Sequence, residues 1–563
     1  MKIESLTIPG KRLWSLIVEE RKNIYPIFFY AVLNGSTVLV IPLGIQAILN
    51  FILGGRISTS WVLLVILVTL ALLFSGFIQI SQLYLVEKLQ QRIFARSAFE
   101  FAYRIPRFKL ESLVGKHPPE LINRFFDTMN IQKGLAKLLV DMTTALLQIF
   151  FGILLLSAYH PFFVAFSLIL IFFVYILFRA TSPRGMETNL NESTAKYQTA
   201  HWLEEMARTL GTFKLAGYSD LAEKRVNQLT DNYIAHRQSH FRVLIRQYII
   251  MIGFKVLIVS TLLVTGSILL INEEISVGQF VAAEVIIILL LGSVEKLILI
   301  LDTVYDTLTA TEKVGQIFDI ELEKQDGKTD CTDGDNPYHI EFTNLSFKYP
   351  GATSAVFTNL NLNIPAGQKL VVTGKFGSGK STLLQLLGGL YSSYEGKIFI
   401  NGVGLQLIDI KSMRSYIGDS MSQQNIFRGT VRENITVGRT NTSEELISNA
   451  VSLAGLNDYI RNLPEGLEEI ILPNGAMIPN DIIRKIVLAR SLCHKSGLLL
   501  LESPIVDIAG TEKTRMLDYL FAESWTIVAV SDDDDLLKRS DRIIVLDNGD
   551  ITFDGNYTTY KAR

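Results

Sequence analysis

The chain has 563 residues, too many for a single hydrophobic core, so we expect at least two folding units. Its apolar fraction of 49% and its mean hydropathy of +0.30 exclude an ordinary soluble protein. The net charge of −2, with no basic face in the sequence, argues against a nucleic-acid partner. The two cysteines, Cys331 and Cys493, are far apart and lack metal-ligand spacing, which fits a reduced cytosolic setting.

Six apolar segments lie in the first 300 residues, and each has about the length of 20 residues, or more, that a membrane-spanning helix needs. They are at 25–51, 61–83, 138–158, 161–178, 248–271 and 277–300. The connections alternate between short and long, and the two long ones carry most of the basic residues. By the positive-inside rule, the long connections, the N-terminus and the C-terminal part of the chain are cytoplasmic. A six-helix channel or receptor would explain the spans, but not the charged, helical pattern of the long connections.

Few charged residues lie within these predicted spans, and Lys255, Glu284 and Glu295 are among them. At about 1.5 Å per residue, Lys255 and Glu295 fall at similar depth, so they are able to pair. A structural ion pair or snorkelling to the interface is the favoured interpretation for both. Glu284 lies deeper, and because intramembrane carboxylates usually face a cavity or a partner, we predict that it lines a cavity.

The cytoplasmic part begins after a charged stretch at 321–337 that reads as a linker, and alternating patterns predict strands at 339–347 and 368–373. The second strand runs into a phosphate-binding loop of the form G-x-x-x-x-G-K-[ST], which precedes a helix. The residues predicted to hold the nucleotide there are Gly374, Gly377, Ser378, Gly379, Lys380, Ser381 and Thr382. Lys380 would neutralise the β- and γ-phosphates of ATP, and Ser381 would ligate Mg²⁺. A glycine-rich turn that matches this pattern by chance is the alternative, and the predicted strand before the loop and helix after it argue against that alternative.

At this point the chain resembles an ABC exporter, with a membrane domain fused to an ATPase domain. The stretches that carry the resemblance are Leu203-Glu204-Glu205, Ser276-Val277-Gly278-Gln279-Phe280, Phe347-Lys348-Tyr349-Pro350-Gly351, Gly429-Thr430-Val431-Arg432-Glu433-Asn434-Ile435 and Asp541-Arg542-Ile543-Ile544-Val545-Leu546. Within the class it is most similar to exporters of bacterial type I secretion and of bacteriocins or toxins. The resemblance implies that Tyr349 stacks on adenine; a tyrosine that packs in the core is the alternative.

The resemblance implies a multi-domain membrane protein with three parts. An all-α domain of six transmembrane helices at 1–320 is followed by a linker at 321–337 and an ABC-type nucleotide-binding domain at 338–563, which is an α/β P-loop NTPase. By the same resemblance, the turn at 107–119 and the helix at 205–218 would dock on the ATPase domains.

Five motifs that the family uses for ATP hydrolysis are changed in this chain, as the resemblance implies. The Q-loop glutamine position is Ser422, with Gln423 beside it, and the signature Leu-Ser-Gly-Gly-Gln becomes Ile478-Pro479-Asn480-Asp481-Ile482. The Walker B aspartate is replaced by Glu502, a longer carboxylate that is predicted to bind Mg²⁺ less well. Ser503 occupies the catalytic glutamate position and is too weak a base, and Asp532 occupies the switch histidine position.

These changes predict a protein that binds ATP and Mg²⁺ but hydrolyses ATP poorly. An exporter of peptides or proteins is one possibility, and a non-hydrolysing regulatory or scaffold component of a secretion assembly is another. A lipid or small-molecule exporter is the third. The expected partners are the lipid bilayer and a second half-transporter chain, identical or different, with a periplasmic adaptor and an outer-membrane channel by analogy. The expected location is the inner (cytoplasmic) membrane.

Overall fold

The computed structural model describes residues 4–53, 59–116, 118–217, 219–324, 336–421, 426–439, 442–475, 477–505, 508 and 510–563. The chain forms two compact units. The first, here called the helical unit, contains Met1–Pro106 and Lys116–Ile320. The second, the sheet unit, contains Arg107–Gly115 and Glu321–Arg563. Residues 107–115 therefore belong to the sheet unit, although they follow a long helix of the helical unit in the chain.

The helical unit consists of long helices joined by short connections. Its helices are α1 (Glu4–Glu19), α2 (Arg21–Val38), α3 (Val40–Leu53), α4 (Thr59–Arg104), α5 (Pro118–Asn123), α6 (Asp127–Lys137), α7 (Thr143–Ser157), α8 (Pro161–Arg208), α9 (Leu210–Leu215), α10 (Leu221–Ile271) and α11 (Val277–Phe318). At 1.5 Å per residue, a helix of 46 residues such as α4 is about 70 Å long. Because the hydrocarbon core of a bilayer is only about 30 Å thick, α4, α8 and α10 extend well beyond it, as the charged long connections predict.

Five helical stretches of the described chain are long and apolar enough to cross a membrane. They are Arg21–Leu53, Thr59–Arg107, Pro118–Ser157, Pro161–Arg208 and Leu221–Ile271, and they contain all or nearly all of each of the first five predicted spans. The sixth predicted span lies within α11, whose side chains are largely buried among the other helices, and it stays a prediction. The predicted pair is confirmed, since Lys255 Nζ lies 3.0 Å from Glu295 Oε2. Glu284 is half-buried on α11, and its role as a cavity residue stays a prediction.

The starts of the long helices follow from local sequence. Before α11, the hydroxyl of Ser276 accepts a hydrogen bond from the backbone N–H of Gln279, whose side chain accepts one from the N–H of Ser276. This reciprocal capping box satisfies two N–H groups that have no partner within the helix. At α8, Pro161 occupies the first helical position, where its missing N–H is not needed.

The sheet unit is an α/β domain. Its strands are β1 (Ile340–Phe347), β2 (Phe357–Ile364), β3 (Lys369–Gly374), β4 (Glu395–Ile400), β5 (Val403–Gly404), β6 (Ile417–Ser420), β7 (Gly429–Thr430), β8 (Ile470–Ile471), β9 (Leu498–Glu502), β10 (Thr526–Val530), β11 (Arg542–Asp547) and β12 (Asp550–Gly555). Its helices are α12 (Lys380–Leu387), α13 (Ile410–Ser415), α14 (Val431–Thr436), α15 (Glu444–Leu453), α16 (Asn457–Arg461), α17 (Asn480–Leu492), α18 (Gly510–Ala522), α19 (Asp534–Arg539) and α20 (Tyr557–Lys561).

The described strands form a six-stranded sheet of order β12-β11-β3-β10-β9-β6, in which only the edge strand β12 is antiparallel, a four-stranded antiparallel sheet of order β2-β1-β4-β5, and the short pair β7-β8. The inner strands β3, β9 and β10 are almost entirely buried. That is why they are nearly continuous apolar runs, as parallel strands covered on both faces are. The predicted strands at 339–347 and 368–373 match β1 and β3 within one residue.

The register of the central strands brings one set of chain ends together. Val530 at the end of β10 pairs with Val372 of β3 on one side and with Glu502 of β9 on the other. The residues that follow these three positions therefore meet at the carboxyl edge of the sheet. In open α/β sheets this edge is where ligands bind.

Candidate nucleotide-binding site

The loop between β3 and α12 has the conformation that a phosphate cradle requires. Gly374, Gly377 and Gly379 have φ angles of 140°, 79° and 101°, which favour glycine strongly. A Cβ at Gly374 would lie 2.1 Å from the carbonyl oxygen of Leu546, so a side chain does not fit there. The first N–H groups of α12 have no acceptor within the helix and lie next to this loop, where they favour an anion. The loop therefore fits the polyphosphate of ATP.

Lys380 lies over this loop. Its ammonium group donates hydrogen bonds of 2.6 Å to the carbonyl oxygens of Gly374 and Lys375 and reaches the hydroxyl of Ser378 at 3.5 Å. The lysine is thus held by the backbone that surrounds the phosphate position. In that place it can exchange carbonyl oxygens for phosphate oxygens without leaving the loop.

The two predicted Mg²⁺ ligands are in direct contact. Ser381 donates a hydrogen bond of 2.6 Å from its hydroxyl to Glu502 Oε1. A hydroxyl and a carboxylate are the oxygen donors that Mg²⁺ prefers beside substrate phosphates. The longer side chain at 502 therefore still reaches the serine, and the pair fits a divalent cation.

Tyr349 is anchored to α12 by its hydroxyl. That group lies 2.9 Å from the hydroxyl of Thr382 and donates a hydrogen bond of 2.9 Å to Gln385 Oε1. Its ring packs edge-on against the rings of Phe347 and Tyr391, at centroid distances of 5.0 and 5.4 Å. These contacts are the ones that the core-packing alternative predicts for Tyr349. Stacking of its ring on adenine stays a prediction.

Ser503 and Asp532, the predicted replacements for the catalytic glutamate and the switch histidine, are both exposed at the carboxyl edge of the sheet. Ser503 adopts a left-handed backbone (φ 49°) and donates its N–H to the carbonyl of Val530 at 2.8 Å. Asp532 accepts a short hydrogen bond from the hydroxyl of Thr373, the residue before the phosphate loop. Sequence reasoning missed Thr373, whose only signal is its place at the end of β3.

The other two altered motifs differ in what can be said of them. Ser422 and Gln423 lie outside the described residues. The signature segment at 478–482 forms the start of α17, with Pro479 at the N-cap and no side-chain cap. Asn480 and Asp481 are exposed, and among the described residues no hydrogen bond joins this segment to the phosphate loop. At the position where the resemblance implies the signature serine, Pro479 has neither a hydroxyl nor an N–H to donate to a phosphate.

With this geometry in place, the comparisons with known proteins are informative. The family model described as "ABC transporter" matches 357–506, and the one described as "ABC transporter transmembrane region" matches 24–294. The chain belongs to the ABC transporters. In this family an all-helical membrane domain is fused to an ABC ATPase domain, as in the two units found here.

Two known relatives of this ABC half-transporter span most of it, and a third spans slightly less than half. The transport/processing ATP-binding protein ComA of Streptococcus pneumoniae is 23% identical, covering 86% of this chain and 67% of that protein. The alpha-hemolysin translocation ATP-binding protein HlyB of Escherichia coli O157:H7 is 23% identical over 96% of this chain and 77% of its own length. An ATP-dependent lipid A-core flippase of Salmonella typhimurium is 30% identical over 46% of this chain and 44% of its own.

A solved structure of a bacterial Atm1-family ABC exporter with ATP bound has the same fold. The TM-score is 0.86 at 18% identity, covering 97% of this chain and 96% of that one. The ABC ATPase domain implies ATP binding.

A cavity of about 380 Å³ opens beside the Ser381–Glu502 pair of this ABC protein. It is lined by Ser381, Gln385, Gly388, Leu390, Arg414, Ile417, Asp419, Met421, Arg439 and Glu502. Burial raises the pKa of the Asp419 carboxyl, although the charges of Arg439 and Arg490 oppose the rise. Burial, with the charge of Arg439 as the second cause, lowers the pKa of His494 to about 4. Sequence reasoning missed Asp419, although an acidic residue in the buried strand β6 was a readable signal.

Proposed function

We propose that this chain is the ATP-binding half of an exporter that moves a peptide or protein across the inner (cytoplasmic) membrane, with impaired ATP hydrolysis. The two relatives that span most of this chain support the cargo class, because one is named for transport and processing and the other for alpha-hemolysin translocation. Half-transporters of this family function as dimers in the membrane, so a second chain is the first partner. A periplasmic adaptor and an outer-membrane channel are further proposed partners.

The proposal is supported most directly by the contrast between two sets of residues at the carboxyl edge of the sheet, those proposed to bind ATP and those at the positions for hydrolysis. The groups proposed to bind a nucleotide are the glycine loop, Lys380 and the Ser381–Glu502 pair, and their backbone angles and hydrogen bonds support that role. The positions from which a base and a switch residue would act on the γ-phosphate carry Ser503 and Asp532. A serine hydroxyl is too weakly basic to take a proton from water at neutral pH.

Asp532 adds a charge effect to the missing base. It is hydrogen-bonded to Thr373 beside the phosphate loop, so its carboxylate brings negative charge toward a triphosphate. Phosphoryl transfer depends on positioning and on stabilisation of negative charge, and repulsion opposes both. We expect ATP to be held and to turn over slowly. When bound, ATP with Mg²⁺ would supply the energy and the phosphate contacts for closure of the two chains, with Ser381 and Glu502 as the Mg²⁺ ligands.

The proposal is tested by measuring nucleotide binding and steady-state ATPase activity on the same preparation of the purified full chain in lipid. We expect Mg²⁺-dependent ATP binding, with turnover no higher than that of Lys380→Ala. Clear turnover that Lys380→Ala abolishes would contradict impaired hydrolysis. If the unmodified chain does not bind ATP, the whole proposal is contradicted. Export of a lipid instead of a peptide in reconstituted vesicles would overturn the cargo class.

A further inference from the structure

Helix α11 has one face that the rest of the described helical unit does not cover. Its opposite side is closely packed, since a Cβ at Gly152 of α7 would lie 2.7 Å from the side chain of Leu290. On the uncovered side, a Cβ at Gly292 would have no neighbour within 4 Å among the described residues, and Ile288 and Leu299 are more than half exposed. Their spacing places these three residues on one side of the helix.

Glu284 lies on the same side, one turn before Ile288, and we call Glu284, Ile288, Gly292 and Leu299 the open face of α11. The carboxylate is half-buried, and no hydrogen bond or ion pair reaches it within the described chain. It lies about 10 Å along the helix axis from Val277, where α11 begins, and therefore within the sixth predicted span. Intramembrane carboxylates face a cavity or a partner, because hydrocarbon does not solvate their charge. The open face therefore fits a polar space better than it fits lipid.

The basic residues of the predicted spans lie at a different depth from Glu284. There are two, Lys255 and Lys296. Lys255 pairs with Glu295, which precedes Lys296 and lies about 17 Å farther along α11 than Glu284. That distance is longer than a lysine and a glutamate side chain bridge together. Neither lysine therefore neutralises Glu284.

A second, identical chain does not supply the missing cation either. A two-fold axis along the membrane normal keeps every residue of the second copy at its own depth, so its span lysines are equally remote. If two such copies packed through their open faces, they would instead bring the two Glu284 carboxylates towards each other. Like charges repel strongly where water is scarce. The geometry thus favours a space between the copies and a cation from another molecule.

The connection between α10 and α11 adds negative charge at one end of the open face. Glu273 and Glu274 lie there, and the segment 272–276 contains no basic residue. Glu274 Oε2 lies 3.2 Å from His160 Nε2, whereas Glu273 is exposed. By the positive-inside rule this is the outer end. A positive group that passes along the open face from Glu284 outwards therefore meets further carboxylates.

We propose that Glu284 binds the cargo by pairing with a lysine or arginine side chain of the transported peptide. This inference rests on the proposed export of a peptide or protein, and it names the chemistry of that cargo, because the segment that crosses α11 carries positive charge. An ionised carboxylate only accepts hydrogen bonds. A neutral segment would leave its charge uncompensated, and an acidic segment would repel it.

The test is equilibrium binding of two fluorescent peptides to the purified full chain in nanodiscs of uncharged lipid, measured by fluorescence anisotropy. The peptides share a sequence of leucine, serine and glycine, with lysines in one and glutamines at the same places in the other. Empty nanodiscs give the background from binding to lipid. We expect the lysine peptide to bind the unmodified chain at least about tenfold more tightly, as one hydrogen bond to a charged group predicts.

Three variants test the role of the carboxylate. Glu284→Gln should weaken binding of the lysine peptide at least about tenfold and leave the glutamine peptide unaffected. Glu284→Asp keeps the charge and should retain most of the affinity. Glu295→Gln is the matched control, because it removes the same charge from the same helix at a carboxylate that already pairs with Lys255. We expect no more than about a twofold change in this control, since distant sites act independently.

Equal affinity of the two peptides for the unmodified chain would overturn the inference, and so would an unchanged affinity of the lysine peptide for Glu284→Gln. If Glu284→Gln alters the fraction of dimers but not peptide binding, the open face joins two copies and the inference is overturned. If neither peptide binds the unmodified chain, it is overturned as well. The proposed function is tested separately, by ATP binding to the same preparation.

Discussion

Replacing Lys380 with alanine is expected to weaken ATP binding by a predictable amount. In this structure the ammonium group makes two hydrogen bonds of 2.6 Å to backbone carbonyls of the phosphate loop. On binding, these bonds are exchanged for bonds to phosphate oxygens, which carry full negative charge. The variant loses the second set of contacts and leaves the partly exposed carbonyls to water.

The size of the loss follows from the strength of such bonds. Hydrogen bonds to charged groups contribute about 1.5 to 3 kcal/mol each, and about 1.4 kcal/mol corresponds to tenfold in affinity. Because carbonyl contacts are given up in exchange, we count one such bond as the net gain. Lys380→Ala should therefore raise the dissociation constant for ATP roughly 10- to 150-fold.

The assay is titration of the purified full chain in nanodiscs with a fluorescent ATP analogue, in the presence of Mg²⁺. Lys375→Ala is the matched control, because Lys375 lies in the same loop, its side chain is mostly exposed, and its ammonium group lies 3.8 Å from Asp547. We expect less than about threefold change in the control, since exposed ion pairs contribute little. A dissociation constant for Lys380→Ala within threefold of the unmodified chain would refute the assignment of the phosphate site.

Three further predictions concern other parts of the molecule. The pKa of His494 is about 4 in the folded chain and 6.5 in the unfolded chain, so the unfolded chain binds more protons between these pH values. Lowering the pH from 7.5 to 5.5 should therefore reduce the free energy of unfolding by about 1 kcal/mol. Thermal unfolding should show this pH dependence in the unmodified chain and not in His494→Gln. Ser503→Glu combined with Asp532→His should raise ATPase turnover, by up to about 10²-fold for the base alone, and no increase would contradict the assigned roles. Lys255→Met should lower the melting temperature in detergent by removing the cation that pairs with Glu295, and the double variant with Glu295→Met should recover most of the loss.

The loop proposed to bind phosphate could be predicted from the sequence because its residues are neighbours in the chain. The spacing from Gly374 to Ser381 fixes a loop and a helix start, and no distant contact is needed to recognise it. The pairing of Ser381 with Glu502 joins residues 121 positions apart. It was predictable only because the family resemblance assigned both to one metal.

Contacts that depend on the tertiary fold alone were not predictable. The hydrogen bond from Thr373 to Asp532 and the bonds from Ser392 and Ser393 to Glu111 join residues 159 or more positions apart. No local pattern marks such partners, since each side chain is equally compatible with solvent. The backbone pairing of residues 321–323 with residues 107–109 was not predictable for the same reason, because the charged sequence of this stretch carries no strand pattern.

In the membrane half, composition is sufficient to predict where long apolar helices lie but not which of them face the lipid. Hydropathy placed each of the first five predicted spans inside, or within one residue of, a helical stretch long and apolar enough to cross a membrane, because side chains exposed to lipid must be apolar. It does not distinguish a lipid-facing helix from one buried among other helices, and α11 is of the second kind. Counting along helices did predict the Lys255–Glu295 pair, since helical rise fixes depth.

The most direct test of retained binding without efficient hydrolysis is a single-turnover experiment. The purified full chain in lipid is mixed in excess with γ-labelled ATP and Mg²⁺, and the bound nucleotide is recovered at intervals and separated. The account predicts that the recovered nucleotide is ATP, at the same low rate of loss as in Lys380→Ala controls with matched occupancy. Rapid conversion of the bound nucleotide to ADP, dependent on Lys380, would contradict it.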